Sequence, residues 1–289
     1  MKKLGLALLV VTLALSAIFA QRGRRGYGGG YGDDYESAQT PRDVRQHGDY
    51  ETPTWTNAPG FEKDVFTFVR IHRERNYSGE GGAWWTDAPD SDLNLSYRLQ
   101  QMTSLKVDPN GRFLRLTEKE LTDYPFIYMV EPGSLALSSE EATALRNYLL
   151  NGGFLMLDDF WGRFEWDVME REIKKVFPDR NFEDLPLSHP LYHCVFEIKE
   201  KAQCPNVDNG NAQERNPNAV IWERGDSGRE VHHRVIRDDK GRIMIFAAHN
   251  TDNGDGWEWE GNNHYYFEHF AEKIAYPLAI NVIFYAMTH

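Results

Sequence analysis

Residues 152–162 read GGFLMLDDFWG, and this stretch decides the fold class. Its apolar run has no polar alternation, which is typical of a strand covered on both faces of a sheet. Upstream, Ser138 and Glu141 form the capping box of a helix that Gly152 ends as a left-handed cap. A charged helical pattern follows over residues 165–177. Helix, strand and helix in close succession indicate βαβ units and therefore an α/β domain with a mostly parallel sheet.

The flanking sequence extends this pattern in both directions. We expect a helix capped by Asp92 and an apolar helix near residues 271–287 at the C-terminus. The C-terminal half is richer in strand patterns, and its last two strands are joined by a turn over residues 238–241, which predicts a β-hairpin. The predicted strands other than the one in the opening stretch cover residues 65–71, 112–116, 125–130, 218–223, 230–237 and 242–248.

Residues 1–20 have the layout of a cleaved signal peptide. Lys2 and Lys3 precede an uncharged apolar stretch, and the best cleavage point follows Ala20. The alternative is an uncleaved anchor, although the apolar stretch is at the short limit for a spanning helix. No Cys follows this stretch, so lipid attachment is not expected. The sequence therefore predicts a periplasmic or secreted protein.

We expect residues 21–60 to form a linker and residues 61–289 to form a single domain. The Gly-, Arg- and Tyr-rich stretch over residues 22–35 has too few apolar groups to bury, so it is predicted to be disordered. Such a tract binds RNA in some cytoplasmic proteins, whereas in an exported acidic protein it is typical of a flexible tether.

Charge and cysteine content exclude several classes of function. The net charge of −12 falls by two more, to −14, once Lys2 and Lys3 are removed, and this argues against nucleic acid or an anionic membrane surface as a partner. No segment after the signal peptide is predicted to span a bilayer. Cys194 and Cys204 either form a disulfide or are two unrelated free thiols. Neither follows a strand at a sharp turn, so neither is predicted to be a nucleophile.

Open α/β sheets bind ligands at the carboxyl ends of their parallel strands. Three loops are expected to meet there, over residues 76–87, 158–162 and 249–257. Asp158 and Asp159 should point in different directions. Either one faces the site as a base, a ligand anchor or a metal ligand while the other caps a helix or holds a loop amide, or both only cap helices or bind backbone groups. His249, at the end of a predicted strand, is either a general base, a metal ligand or a hydrogen-bonded structural residue.

The same loops carry further candidates for ligand binding. Aromatic rings beside a crevice can stack on sugars, or they can simply attach long loops to the domain. The loop with Asp252 and Asp255 resembles a calcium loop but lacks the later Glu of that motif, so we predict no metal and no cofactor. The Gly-rich loop lacks the residues of a phosphate-binding loop. The ligand-binding candidates are Trp84, Trp85, Trp161, Asp255 and Trp257.

These motifs together resemble a bacterial family called domain of unknown function 4159. The resemblance covers roughly residues 61–289, and its most specific part is the stretch that opens this section. The matching segments are residues 66–71, 84–87, 125–128, 152–162, 189–190 and 254–257.

The resemblance extends to the class I glutamine amidotransferase-like superfamily, which implies a flavodoxin-like fold. The position of that superfamily's nucleophilic Cys falls on Asp159 here, so a Cys-dependent glutaminase or peptidase is not expected. His249 follows a late strand, as the superfamily's catalytic His does. A branch similar to trehalose-utilisation proteins also lacks the Cys and has a strand like the one from Gly241 to His249. This branch implies a carbohydrate-linked role as one option.

Three functional hypotheses follow. The first is a non-catalytic module that binds a ligand or a partner on a glutaminase-like fold. The second is a hydrolase that acts on a carbohydrate-like substrate through Asp159 or Asp158 together with His249. The third is an envelope assembly protein whose Gly-rich tail tethers it to a partner.

Overall fold

The computed structural model describes residues 31–48, 51–61, 64–74 and 82–289. The chain divides into two compact units, residues 1–37 and residues 38–289. In the first unit the described element is helix α1, Tyr31–Ser37. The predicted signal peptide and the first part of the predicted linker lie outside the described residues.

The second unit is built on a seven-stranded sheet in the order β2-β1-β3-β4-β7-β6-β5. The first five strands in this order are parallel to one another, whereas β6 pairs antiparallel with both β7 and β5. The strands are β1 Val69–Ile71, β2 Arg112–Leu114, β3 Phe126–Val130, β4 Phe154–Asp158, β5 Glu183–Asp184, β6 His232–Arg237 and β7 Ile243–His249.

The parallel part of the sheet has the strand order of the flavodoxin-like fold, with β7 as its fifth strand. The chain runs outward from β1 to β2 and then returns to β3 on the other side of β1. This reversal between β1 and β3 is the switch point at which open α/β sheets bind ligands. The predicted fold class is confirmed, and so is the hairpin, in the form of β6 and β7.

Helices cover both faces of the sheet. Side chains of β4 alternate between two cores: Phe154 and Met156 pack with the C-terminal helices, and Leu155 and Leu157 pack on the opposite face. The α-helices of the second unit are α2 Asp90–Met102, α3 Ser139–Leu150, α4 Gly162–Val176, α5 Val207–Arg215, α6 Asn253–Glu258, α7 His264–Tyr266 and α8 Tyr276–Thr288. A π-helical segment, Phe267–Ala275, joins α7 to α8. Short 3-10 helices cover Pro41–Asp43, Lys119–Asp123, Pro132–Ser134, Pro190–His193 and Gly225–Gly228.

The capping signals in the sequence correctly predicted where α3 begins and ends. The Ser138 side chain accepts from the backbone N–H of Glu141, and the Glu141 carboxylate accepts from the N–H of Ser138 at 2.9 Å, which is the predicted capping box. Gly152 has a φ of 109° and ends the turn before β4, as its lack of a Cβ permits. Helix and strand therefore meet where the sequence pattern predicted.

The prediction for Asp92 was wrong. Helix α2 begins two residues earlier, at Asp90, and the carboxylate of Asp92 instead accepts hydrogen bonds from the Arg70 guanidinium of β1 at 3.0 Å. Both side chains are buried, so this ion pair fixes the start of α2 against the sheet.

A second correction concerns residues 218–223, which form no strand in the structure. Their short apolar alternation has no partner strand, and Val220 is exposed. A strand without a neighbour leaves its backbone groups without hydrogen bonds from a sheet, so the segment remains a loop.

The segment before residue 61 packs more closely than the predicted linker would. The Arg42 guanidinium donates to the Pro109 carbonyl at 3.1 Å, and the Trp55 indole N–H donates to the Val107 carbonyl at 2.8 Å. The Thr52 hydroxyl hydrogen-bonds the side chain of Asn94. The compact unit therefore begins at Ala38, earlier than the boundary that the sequence indicated.

Cys194 and Cys204 are both free thiols in the structure, one exposed and one buried. The Cys204 thiol lies beside the hydroxyl of Tyr266 at 3.6 Å, while Cys194 lies against backbone carbonyls. Of the two alternatives that the spacing left open, the structure contains two unpaired cysteines. Among the residues that the structure describes, no helix combines the length and apolar composition needed to cross a bilayer.

Candidate functional site

Three adjacent strands end in the same unusual backbone conformation. Glu131 directly after β3, Asp159 directly after β4 and Asn250 directly after β7 have φ angles of 48°, 52° and 63°. Residues other than glycine rarely occupy this left-handed region, and each instance costs about 1–3 kcal/mol. Such conformations concentrate at functional sites, so the carboxyl edge of the sheet is where a site is expected.

A crevice of about 400 Å³ opens at this edge. The three loops predicted to meet do contribute to it, with Asp87 from the first, Asp159 and Trp161 from the second, and Asp252 and Asp255 from the third. We call this cavity the acidic crevice. Its described lining is Gly82, Thr86, Asp87, Glu131, Asp159, Trp161, Glu165, Asn206, Glu223, Arg224, Asp252 and Asp255.

Asp158 is a structural anchor rather than a part of the crevice lining. Its buried carboxylate accepts from the Tyr128 hydroxyl at 3.2 Å and from the backbone N–H groups of Asn253 and Gly254, each at 3.1 Å. The Asn253 amide adds a fourth hydrogen bond at 2.7 Å. Asp158 therefore holds the first turn of α6 against β4. It is the aspartate of the pair that binds loop amides.

Asp159 turns away from Asp158 and lines the acidic crevice. Its left-handed φ lies in a strand-turn-helix junction between β4 and α4, the geometry of a nucleophile elbow. The carboxylate accepts a hydrogen bond from the Trp161 indole N–H at 2.9 Å. The turn after β4 thus places an acid, fixed by one neutral donor, on the wall of the crevice.

The carboxyl groups of the crevice disfavour ionisation of one another. Burial raises the pKa of Glu131 to about 7, and the neighbouring Glu165 adds to that increase. Burial also raises the pKa of Asp159 well above its ordinary value, with a further contribution from Glu131. The pKa of Asp252 is raised in the same way, by burial and by Asp159. Each of these groups would bind a proton or a cation more readily than an exposed carboxylate does.

Positive charge within the crevice is small by comparison. Seven carboxylates line it, and Arg224 is the cationic residue among the described lining residues. The Arg224 guanidinium donates to Glu165 at 2.8 Å, while the other oxygen of Glu165 accepts from the backbone N–H of Trp161 at 2.7 Å. Burial and the neighbouring Asp255 raise the pKa of Asp87, while Arg70, which is hydrogen-bonded to Asp92, lowers it. The described lining therefore holds more carboxyl groups than cationic partners, and the raised pKa values favour a bound proton or a bound cation at these groups.

Carboxylate oxygens of Asp87, Asp159 and Asp252 lie within 4.8 Å of one another. A second group of the same kind is formed by Asp87, Asp255 and Glu258. Oxygen ligands in such clusters suit the hard cations Ca²⁺, Mg²⁺ and Mn²⁺. The sequence analysis left an aspartate of the β4 turn and His249 open as metal ligands and committed to no metal. It did not foresee that Asp87 would bring a third carboxylate to Asp159 and Asp252.

His249 lies in a different cavity, of about 530 Å³, which we call the histidine cavity. Its ring stacks on Phe160 with centroids 4.9 Å apart, and its Nε2 makes a 2.9 Å hydrogen bond with the Gly162 carbonyl. Burial lowers the pKa of His249 to about 3. The described lining of the histidine cavity is Arg163, Trp166, Asp167, Glu170, Phe182, Ser227, His232, Arg234 and His249.

The four tryptophan candidates for ligand binding do not lie together in the structure. Trp257 is fully buried and packs on Tyr128, with ring centroids 5.6 Å apart. Trp84 is buried too and stacks on His72 at 4.2 Å, while Trp85 packs edge-on against Trp84. Trp161 alone among these four lines the acidic crevice as described.

Asp255 lines the crevice and also fixes local structure. Its Oδ2 accepts from the backbone N–H of Val207 at 2.7 Å, which attaches the start of α5 to α6. Its backbone N–H in turn donates to the Asp252 carboxylate at 2.8 Å, the N-cap of α6. Asp255 therefore belongs to the crevice wall and holds two helices together.

The remaining acidic residues of the crevice were not foreseen. Glu131, Glu165 and Glu223 share no motif and come from distant parts of the chain. For Glu131 a signal existed, because it directly follows β3, and the carboxyl ends of parallel strands meet at one edge. Glu165 and Glu223 had no comparable signal.

Comparison with known families places the chain in one of them. The model of the family described as domain of unknown function (DUF4159) matches residues 67–287, and the chain belongs to this family. The matched range contains every described strand and the whole lining of the acidic crevice. No curated protein matches the sequence.

Proposed function

We propose that this protein is an exported, non-catalytic binding module that holds a positively charged ligand in the acidic crevice. The fold supplies a sheet edge at a switch point, and the loops after β1, β3, β4 and β7 supply five of the seven carboxylates. Glu165 comes from α4 and Glu223 from the segment before β6. Sites of this kind recognise their ligands with a few convergent polar groups in a concave cavity.

The observation that carries the proposal is the unbalanced charge of the crevice. Seven carboxylates surround about 400 Å³, with Arg224 already paired to Glu165. Buried carboxylates without counter-charges are costly, and a bound cation removes that cost. A cationic ligand would therefore be favoured over a neutral or anionic one, whose binding would leave the repulsion in place.

Geometry favours this module over the hydrolase hypothesis. A general base must lie within hydrogen-bond reach of its partner or share one water with it. Asp159 is directed to the acidic crevice and Trp161, whereas His249 is directed to the Gly162 carbonyl and lines the histidine cavity. The two side chains thus line different cavities, which gives an Asp–His reaction no common substrate position.

The hypothesis of a carbohydrate ligand also has little support from the geometry. Sugar stacking requires the open face of an aromatic ring. Trp84 is buried and stacks face to face on His72, and Trp257 is fully buried against Tyr128 and Phe68. These rings support the loops, so the ligand contacts are assigned to the carboxylates.

A thermal-shift screen tests the proposal on the mature chain. Inorganic cations, a polyamine and a lysine-rich peptide are compared with neutral sugars and with acidic peptides. A ligand at a hundred times its Kd adds about 2.7 kcal/mol of stability. We expect cations to raise Tm in wild type and in His249→Ala, and this effect to be reduced in Asp159→Asn and Glu131→Gln.

Asp239→Asn is the matched control, because Asp239 is an exposed carboxylate on the turn before β7, at the opposite edge from the carboxyl ends of the parallel strands. It should respond to cations as wild type does. An equal response of Asp159→Asn and wild type would contradict the proposal. Glycosidase or esterase activity lost equally in Asp159→Asn and His249→Ala would establish the hydrolase hypothesis instead.

Export is a separate part of the proposal and rests on residues 1–20. Cleavage after Ala20 predicts that the mature protein begins at Gln21. N-terminal sequencing of protein recovered from the periplasm or medium of a bacterial host tests this. A chain that keeps Met1 in the cytoplasmic fraction would contradict it.

A further inference from the structure

We propose that Asp87, Asp159 and Asp252 form a binding site for a hard divalent cation, with Ca²⁺ as the best match. We call these residues the aspartate triad. The inference rests on the proposed function, because it names the cation that the acidic crevice holds. Each member comes from a different loop, so the site exists only in the folded chain.

The spacing of the triad fits a single ion. Its carboxylate oxygens all lie within 4.8 Å of one another. Oxygens on opposite sides of Ca²⁺ are about 4.6–5.2 Å apart, since each Ca–O distance is about 2.3–2.6 Å. Mg²⁺ requires shorter distances and a nearly ideal octahedron. Three carboxylates within this span can therefore contact one Ca²⁺, whose flexible coordination does not require an ideal octahedron.

An independent observation indicates a ligand at the triad. The Oδ2 atom of Asp87 is buried, and it has no hydrogen-bond partner among the residues that the structure describes. A buried carboxylate oxygen without a donor or a cation carries a large desolvation cost. A Cβ at residue 254 would overlap this oxygen, so Gly254 is what allows the carboxylate to occupy its position. Asp87 lines the acidic crevice, and a cation bound there would give this oxygen the partner that it lacks.

The other two members have only neutral donors. One oxygen of Asp159 accepts from the Trp161 indole at 2.9 Å, and one oxygen of Asp252 accepts from the backbone N–H of Asp255 at 2.8 Å. These bonds orient the carboxylates but supply no formal positive charge. A divalent ion would satisfy all three carboxylates, and the remaining crevice volume accommodates the water ligands that Ca²⁺ also takes.

The second acidic cluster is a weaker candidate. Glu258 is not among the described residues that line the acidic crevice, whereas all three members of the aspartate triad are. Asp255 also fixes local structure, since its Oδ2 accepts from the Val207 backbone N–H at 2.7 Å and its Oδ1 accepts from the Trp259 indole N–H at 3.3 Å. The position of the triad on the crevice wall therefore assigns the ion to it.

Titration of the mature chain, first stripped with EGTA, tests the site. Calorimetry measures Ca²⁺ affinity, and sensitised luminescence of Tb³⁺, a substitute for Ca²⁺, reports proximity to Trp161. We expect one Ca²⁺ per chain. Asn at any triad position should weaken binding at least about tenfold, the loss that follows even from removal of an outer partner of a ligand. Trp161→Phe should reduce Tb³⁺ emission more than it reduces Ca²⁺ affinity.

Two controls separate the possible failures. Glu258→Gln tests the second cluster and should leave Ca²⁺ affinity nearly unchanged, and Asp239→Asn tests non-specific acidity. Should a triad variant fail to fold, the Ca²⁺-dependent rise in Tm of wild type after EGTA treatment remains a test. If Ca²⁺ does not bind while an organic cation still stabilises wild type but not Asp159→Asn, the metal site is wrong and the binding module stands. If neither binds, both proposals fail.

Discussion

The acidic crevice and the histidine cavity both lie at the carboxyl end of β7, but they differ in how far their polar side chains find partners within the protein. In the histidine cavity His249 has a carbonyl partner and packs on Phe160, and the Arg234 guanidinium lies 4.3 Å from the centroid of the Trp166 ring. In the acidic crevice Asp87 has a buried oxygen without a hydrogen-bond partner in the described part of the chain. Polar groups that have partners within the protein, such as His249 and Arg234, are typical of a structural cavity. The acidic crevice has few cationic partners for its carboxyl groups, and we infer that it binds a cation.

The largest expected change in the free energy of unfolding follows from removal of Asp158, which holds the α6 loop beside the crevice. Asp158→Ala takes the acceptor from four donors, among them the Tyr128 hydroxyl and two backbone N–H groups. Each buried donor left unpaired costs about 1–3 kcal/mol, so we expect a loss of at least about 3 kcal/mol. Urea denaturation measures the free energy of unfolding. A loss below about 1 kcal/mol would show that the α6 loop does not depend on this carboxylate.

The two regions should respond to pH with opposite signs when cations are chelated. The pKa of Glu131 is raised to about 7 in the folded chain, above the unfolded value of about 4.3, so its stabilising contribution is lost as pH rises through 7. The pKa of His249 is lowered to about 3, below the unfolded value of about 6.5, so its contribution is lost as pH falls below 6.5 towards 3.

Each proton that is bound in only one of the two states, folded or unfolded, changes the free energy of unfolding by up to about 1.4 kcal/mol per pH unit. Because the two slopes oppose each other between about pH 4.3 and 6.5, wild type in EGTA should show little net change in its free energy of unfolding there from these two groups. In urea denaturation, His249→Gln should expose a decline as pH rises from about 4.3 to 7, and Glu131→Gln should expose a decline as pH falls from about 6.5 towards 3. A profile of Glu131→Gln that matches wild type between these limits would remove Glu131 as a source of the pH dependence.

A smaller effect is expected from His249→Ala. The substitution removes the ring that stacks on Phe160 and lies 5.1 Å from the Trp166 ring, and it leaves the Gly162 carbonyl without its side-chain partner. We expect a loss of about 1–3 kcal/mol, which is typical of an unpaired buried polar group. Ca²⁺ affinity measured by calorimetry should stay at the wild-type value. A large fall in affinity would join the two cavities into one functional unit.

The sequence predicted the central βαβ units because their signals are local. The capping box of Ser138 and Glu141 and the apolar run of β4 each lie within a few residues. Helix α5, Val207–Arg215, was missed because it contains Gly210 and few apolar residues. Gly210 is needed there because a Cβ would meet the Tyr266 ring, and such a tertiary contact cannot be derived from local sequence.

The site was predictable in position but not in chemistry. The rule on strand ends brought Asp159 and the loop of Asp252 to one edge. It did not show that Asp159 and His249 would face different cavities, because that depends on the twist of the turn after β4, where Asp159 has a left-handed φ. Nor did it reveal that Glu131 and Glu165 would add charge to the same crevice.

The most direct test of the central claim is the stability of Asp159→Asn relative to wild type, measured by urea denaturation in EGTA and again in saturating Ca²⁺. Asn tolerates the left-handed conformation of this position. In EGTA the variant should be more stable than wild type by about 1 kcal/mol or more, the energy of one unit of pKa shift, because one repelling charge is gone. In Ca²⁺ the order should reverse. A variant less stable than wild type under both conditions would contradict the claim that the acidic crevice is built to hold a cation.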